Sequence, residues 1–201
     1  MSRVFTVGHS NHSLEIFTQM LLSWRITDVC DVRSTPLSRY SPQFNKTAIA
    51  QALEQAGIAY RFYGETLGAR PANPDLIRDG RVSWDALRAT DGFRRSIEEI
   101  AELGNKSRPA LLCAERDPAE CHRTALVARA LAEHGSEIIH LLPPDSEGKR
   151  SYETHASVME RLAKGFHLEA GMFLSAEQVL DEVYRKQEEK IAYRPAGVVR
   201  M

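Results

Sequence analysis

Strands alternating with helices predict an α/β fold: a mainly parallel five-stranded sheet with helices on both faces, a Rossmann-like three-layer sandwich with right-handed crossovers. Two observations carry this. β-rich runs recur at residues 3–7, 26–32, 58–63, 109–114 and 136–142, and segments with helical spacing of apolar residues fall between them.

The elements follow in order. After the first run, Gly8 is expected to permit a tight turn, and Ser13 to cap a helix with Leu14, Phe17, Met20, Leu21 and Trp24 on one side. In the second run Asp28 and Asp31 bracket Val29 and Cys30, which predicts inert core for Cys30, and residues 33–36 close the strand. Residues 37–45 have no usable period and carry Arg39, Tyr40 and Phe44, as a loop covering a substrate would. Asn45 caps a helix over 46–55 that Gly57 ends. Residues 64–84 hold three turn signals and read as a long irregular insertion, with Glu65, Arg70 and Arg81 as its contributors to a site. Helices are expected over 93–103, 124–134 and 152–163, and from Ser175, where Val179, Leu180, Val183 and Tyr184 share a face. The organisation expected is one α/β domain over 3–165, with a C-terminal helix and a loose tail, 166–201, packed on it.

Composition narrows the function. A formal charge of −1 argues against a generally basic nucleic-acid coat. Of the 26 basic residues 20 are arginine, which suits recognition of phosphate or carboxylate by planar forks, as it also suits a GC-rich genome. Three cysteines, with no signal peptide and no long apolar run, point to a reducing cytoplasm, with thiols free or metal-bound and no membrane partner.

The chemistry concentrates in residues 111–123, Leu-Leu-Cys-Ala-Glu-Arg-Asp-Pro-Ala-Glu-Cys-His-Arg. There a buried strand ends at Cys113 and a helix opens at Cys121, His122 and Arg123. Amide N–H groups and the positive end of the dipole favour an anion and a low thiol pKa at such an opening. In a parallel sheet His9, Ser10, Asp31 and Arg33 would reach the same edge. Asp31 and Arg33, two apart on a strand, point the same way, into a cleft or onto each other.

Thr6-Val7-Gly8-His9-Ser10, Asp31-Val32-Arg33 with Pro36 and Ser38-Arg39, Leu67-Gly68, Leu112-Cys113-Ala114-Glu115, Cys121-His122-Arg123 and His140 together resemble the family called domain of unknown function 488, over roughly residues 3 to 142. The resemblance implies a compact cytosolic α/β domain from microbes and carries over no biochemical role. Ala69 stands where the commonest form has a second glycine.

Three functions compete. The first is a cytoplasmic enzyme acting on an anionic, nucleotide or nucleic-acid-related substrate. In it Cys121 and His122 are catalytic, Cys113 resolves an intermediate, and Asp31 or Glu115 is the acid or base; His9, Ser10, Arg33, Arg39, Tyr40, Arg70 and Arg123 hold the substrate. Only His122 separates Cys121 from Arg123, unlike the longer loop of cysteine phosphatases. The second is a zinc or iron site using Cys113, Cys121, His122 and His9, against which stands the rarity of adjacent residues facing one ion. The third is a nucleic-acid-binding module without catalysis, with the arginines on phosphates and Tyr40, Phe44 and Tyr63 stacking on bases. The cleft is expected at the carboxyl edge of the sheet, overhung by loops 37–44 and 64–84, with Cys121 more reactive than the shielded Cys113.

Overall fold

The computed structural model describes residues 1–145, 147–171 and 174–196; of the tail expected at 196–201, all but Ala196 lies outside them. Its elements in chain order are β1 (Arg3–Gly8), α1 (Leu14–Ser23), β2 (Asp28–Asp31), α2 (Lys46–Gln55), β3 (Ala59–Phe62), α3 (Asp91–Lys106), β4 (Pro109–Cys113), α4 (Arg129–Glu133), β5 (Glu137–Leu142), β6 (Ser151–Thr154), α5 (His155–Gly165) and α6 (Ala176–Ile191). Five strands run parallel, as the sequence predicts, in the order β3-β2-β4-β1-β5.

A sixth strand, β6, adds antiparallel to the edge of β5. The sequence reading placed the start of a helix there. Thr154 explains the difference, since it ends the strand in an extended conformation and its side chain caps α5 by accepting from the Ser157 N–H.

β2 and β4 are buried along their whole length because helices cover both faces of the sheet. Phe17, Met20 and Leu21 of α1 and Ile49 and Leu53 of α2 pack on one face with Phe5, Val7, Val29 and Leu112. On the other face Phe93, Ile97 and Ile100 of α3 join Leu131 of α4, Val158 of α5 and Val183 of α6 around Val4, Cys30 and Leu111. Cys30 is fully buried, and burial pushes its thiol pKa up, so the reading of inert core holds.

The chain leaves β1 on the α1 face and leaves the adjacent β4 on the opposite face. Strand ends at such a reversal open a crevice. The two strands stay joined beyond it, with His9 N–H donating to Cys113 O and Ser10 N–H to Ala114 O, each at 2.9 Å. Ser10 then takes a left-handed conformation, φ 49°, to turn toward α1. Gly8 was expected to make that turn, but its φ is not positive. The need for glycine is close approach, because a Cβ at Gly8 would lie 1.8 Å from the Glu115 carbonyl oxygen.

Residues 64–84 are more regular than expected. They form helix Gly64–Leu67, a 3₁₀ turn Pro74–Leu76, and a two-stranded ribbon, Ile77–Arg78 with Arg81–Val82. Leu67, Leu76, Val82 and Trp84 are buried in the core. The segment is held by its own apolar anchors, which a turn-residue count does not reveal.

Candidate functional site

Four side chains meet at the carboxyl end of β4. The ligand-type atoms of Cys113, Glu115, Cys121 and His122 all lie within 4.8 Å of one another. Glu115 Oε2 is 2.9 Å from both sulfurs, and His122 Nδ1 is 3.6 Å from Cys113 Sγ and 4.0 Å from Cys121 Sγ. The other imidazole nitrogen, Nε2, donates to the Val32 carbonyl at 3.0 Å, at the end of the neighbouring strand. That bond fixes the ring and turns Nδ1 toward the thiols.

Cys121 and His122 can face one point because the backbone changes conformation between them. Cys121 is extended, at φ −132° and ψ 138°, and His122 is helical, at φ −61° and ψ −26°. The expectation that adjacent residues would point apart is therefore corrected. A π-helical stretch, Arg123–Ala128, follows and runs into α4; such turns are uncommon and concentrate at functional sites.

Both thiols are buried, with Cys121 1 % and Cys113 3 % exposed, so Cys113 is not the more shielded. Their protonation differs all the same. Burial opposes charge on Cys121, but the bond from Cys113, the Arg123 charge and His122 outweigh it and hold its pKa well below the usual thiol range. Cys113 moves up, through burial and its bond to Cys121. His122 sits above the ordinary imidazole value, because the bond to Cys121 and the thiolate charge overcome the cost of burial. The two thiols are thus shifted in opposite directions beside a raised imidazole.

Arg123 is fully buried, which removes it from the substrate-holding role the sequence suggested. Its guanidinium donates to Glu115 O at 2.7 Å, Arg116 O at 3.3 Å and Thr6 Oγ1 at 3.3 Å, locking the loop over β1. From Thr6 a buried polar chain continues. The Thr6 hydroxyl bonds His140 Nδ1 at 2.8 Å, His140 Nε2 bonds His155 Nδ1 at 3.1 Å, and His155 Nε2 bonds the Tyr184 hydroxyl at 2.8 Å. Both imidazoles are thus bonded through both ring nitrogens. Burial lowers both histidines, His155 to about 4. Apart from Thr6 and His140, which belong to the motif set, this chain left no sequence signal. The loop is also anchored by Arg161, which bridges to Asp117 at 2.8 and 2.9 Å, and by Gln187, which donates to Ala119 O at 2.6 Å.

The remaining candidates divide. Asp31 and Arg33 form the ion pair that was one of their two readings, with bonds of 2.6 and 2.9 Å, and Tyr60 also donates to Asp31. Arg33 donates further to Phe44 O at 2.9 Å. Asp31 is fully buried and orders the strand end through these bonds. His9 lies apart from the thiols, its ring stacked on Phe44 at 4.3 Å and its Nδ1 bonded to Ser10 O. Glu115, and not His9, lies with the two thiols and His122. Burial, first among its causes, lowers the His9 pKa to about 4. His9 and Ser10 line a second cleft of about 470 Å³ that shares Glu115 with the first. Phe44 is 1 % exposed and closed to base stacking, while Tyr40 is 98 % exposed and, like Arg39, stands outside both clefts. Arg70 lines the first cleft, with Cys113 and His122. Arg81 faces Glu189 instead, at 3.9 Å.

Residues 13–130 match the model of the family described as Domain of unknown function DUF488. The chain belongs to that family. No curated protein and no solved structure matches it. The DUF488 match takes in the thiols, Glu115, His122 and Arg123, and stops before His140, His155 and α6. Among the described residues no helix is long and apolar enough to cross a membrane.

Proposed function

We propose that this DUF488 protein binds a zinc ion through Cys113, Cys121 and His122, with Glu115 at the fourth position. The observation that carries the reading is convergence: four donors of the kinds zinc takes lie within 4.8 Å of one another, with the imidazole oriented by a backbone carbonyl, as ligating histidines are. Thiolates with imidazole favour zinc over hard cations. A buried arginine without a carboxylate partner among the described residues supports it too, since its charge needs a nearby anion, and a zinc ion held by two thiolates and the Glu115 carboxylate would carry a net negative charge.

Tetrahedral zinc puts a sulfur and a carboxylate oxygen about 3.6 Å apart, against 2.9 Å here. A bound zinc ion would therefore require the Glu115 carboxylate to lie further from the sulfurs, which its exposed position allows. Three inner ligands with a solvent-facing fourth is the pattern of a reactive zinc, where a closed set of four is that of a structural one. Cys113, Cys121 and His122 would hold the ion, which would supply Lewis-acid chemistry, and Glu115 would be its exposed, exchangeable ligand.

Metal analysis of protein purified without chelator tests it. The expected result is close to one zinc per chain, lost in Cys113→Ser and Cys121→Ser, and cobalt uptake with a thiolate charge-transfer band. Metal-free protein that takes up no cobalt would return the site to the thiol chemistry of the pair.

A further inference from the structure

Cys113 and His122 line a cleft of about 480 Å³, and Arg70, Tyr193 and Arg194 form another part of its wall. That volume exceeds the needs of one carboxylate and lies in the range of small-molecule sites. The wall is fixed. Arg70 N–H donates to Ser34 Oγ at 2.8 Å, the Arg70 guanidinium lies 4.9 Å from the centre of the Tyr193 ring, and Val82 N–H donates to Tyr193 O at 2.9 Å. Lys190, also on the wall, is paired with Glu120 at 2.7 Å. Arg70 and Arg194 are exposed and meet no carboxylate within ion-pair distance among the described residues. Two unpaired guanidinium groups lining the same cleft as Cys113, Glu115 and His122 are suited to a planar or tetrahedral oxyanion.

We propose that this cleft binds an organic molecule through a phosphate or carboxylate group, which comes to the metal in place of Glu115 and is also held by Arg70 and Arg194. The inference rests on the zinc reading. Charge is consistent with the exchange. A zinc ion with two thiolates and a neutral imidazole is neutral, so one anion suffices as fourth ligand and a second would be repelled. Glu115 and the oxyanion therefore compete, and Glu115 is the one ligand that is exposed. Arg194 and Tyr193 lie beyond the DUF488 match, so the C-terminal segment of this chain supplies one of the two cations and the aromatic wall.

Calorimetric titration of the zinc-loaded full chain tests this with three probes: inorganic phosphate, acetate and adenosine monophosphate. One saturable site is expected, with phosphate against acetate identifying the oxyanion and the nucleotide against phosphate reporting contact with an organic body. Arg70→Gln and Arg194→Gln, both at exposed positions, should each weaken binding roughly tenfold, and Glu115→Gln should strengthen it with metal content unchanged. No saturable binding of any probe, or binding equal in the double arginine variant, would overturn the proposal. Cobalt uptake separates the two readings. Protein that takes up cobalt but binds no probe leaves the zinc site standing without its oxyanion; arginine-dependent binding in protein that takes up no cobalt removes the metal, and with it the displacement of Glu115.

Discussion

Gly8→Ala places a methyl group where β1 passes under the loop that carries Glu115. The added carbon would lie 1.8 Å from the Glu115 carbonyl oxygen and 2.7 Å from its carbon. Backbone, not a flexible side-chain end, is what it meets, so the loop must move by roughly 1.5 Å to restore ordinary contact. That oxygen also accepts the 2.7 Å bond from Arg123. Overpacking of this kind costs about 1–3 kcal/mol, and a stretched bond from a charged donor adds to it, so about 3 kcal/mol of stability should be lost. The carboxylate moves with its backbone, and metal affinity should fall on the order of tenfold, as it does when groups orienting a ligand are disturbed. Urea unfolding and chelator competition measure the two effects. Gly165→Ala is the control: it ends α5 with nothing within 4 Å of the new Cβ, and should stabilise by about 0.5–1 kcal/mol. Wild-type stability and zinc affinity in Gly8→Ala would refute the close-approach explanation of this glycine.

Three further outcomes are expected. Chelator should lower the melting temperature, and Cys113 and Cys121 should resist alkylation until metal is removed, whereas equal labelling with and without chelator would exclude them as ligands; Cys30 should stay unlabelled in both. Arg123→Lys should cost about 2–4 kcal/mol, because an ammonium cannot serve Glu115 O, Arg116 O and Thr6 together; unfolding midpoints close to wild type would contradict the locking role. Stability should fall as pH drops from about 6.5 toward 4, because unfolded histidines take up protons that buried His140 and His155 refuse. The His155 contribution, an ordinary value of 6.5 lowered to about 4, comes to about 3 kcal/mol when fully lost. His155→Gln should shrink the loss in this window, and an unchanged profile would count against it.

Much of the architecture was legible because parallel strands covered on both faces are short apolar runs, and β2 and β4 are that kind of strand. β6 was not, since residues 151–154 pass directly into α5 and the alternation of a four-residue edge strand is too brief to separate from a helix start. For the site, the sequence singled out all four converging side chains, but grouped His9 rather than Glu115 with the thiols and His122 as a ligand set. Glu115 and His9 were both at strand ends, and periodicity cannot say which turns toward the thiols. The choice lies in details of the turn: His9 folds back onto Phe44, and the Gly8 contact holds the Glu115 backbone against β1. Arg33, Arg123 and Arg70 looked alike as anion-binding residues. Burial distinguishes them, since Arg33 and Arg123 are saturated by Asp31 and by backbone carbonyls and have little left for a ligand, whereas Arg70, which lines the same cleft as Arg33, is exposed.

The buried chain from Arg123 to Tyr184 has a physical logic of its own. A guanidinium with no exposure and only oxygen dipoles for partners is stable where negative charge lies close by, and the thiol pair lies on one side of it. On the other side any proton added to His140 would face that same guanidinium through Thr6, and Arg123 is among the causes that lower His140. Burial is the main cause that lowers both imidazoles, with Arg123 adding to it at His140, and neutral imidazoles can pass the hydrogen-bond direction along without adding buried charge. The last partner, Tyr184, belongs to α6, whose Gln187 also holds Ala119 in the loop between the two cysteines. α6 lies outside the DUF488 match, yet it touches both ends of the loop's support: the charge behind the thiols through the histidines, and the backbone between them through Gln187.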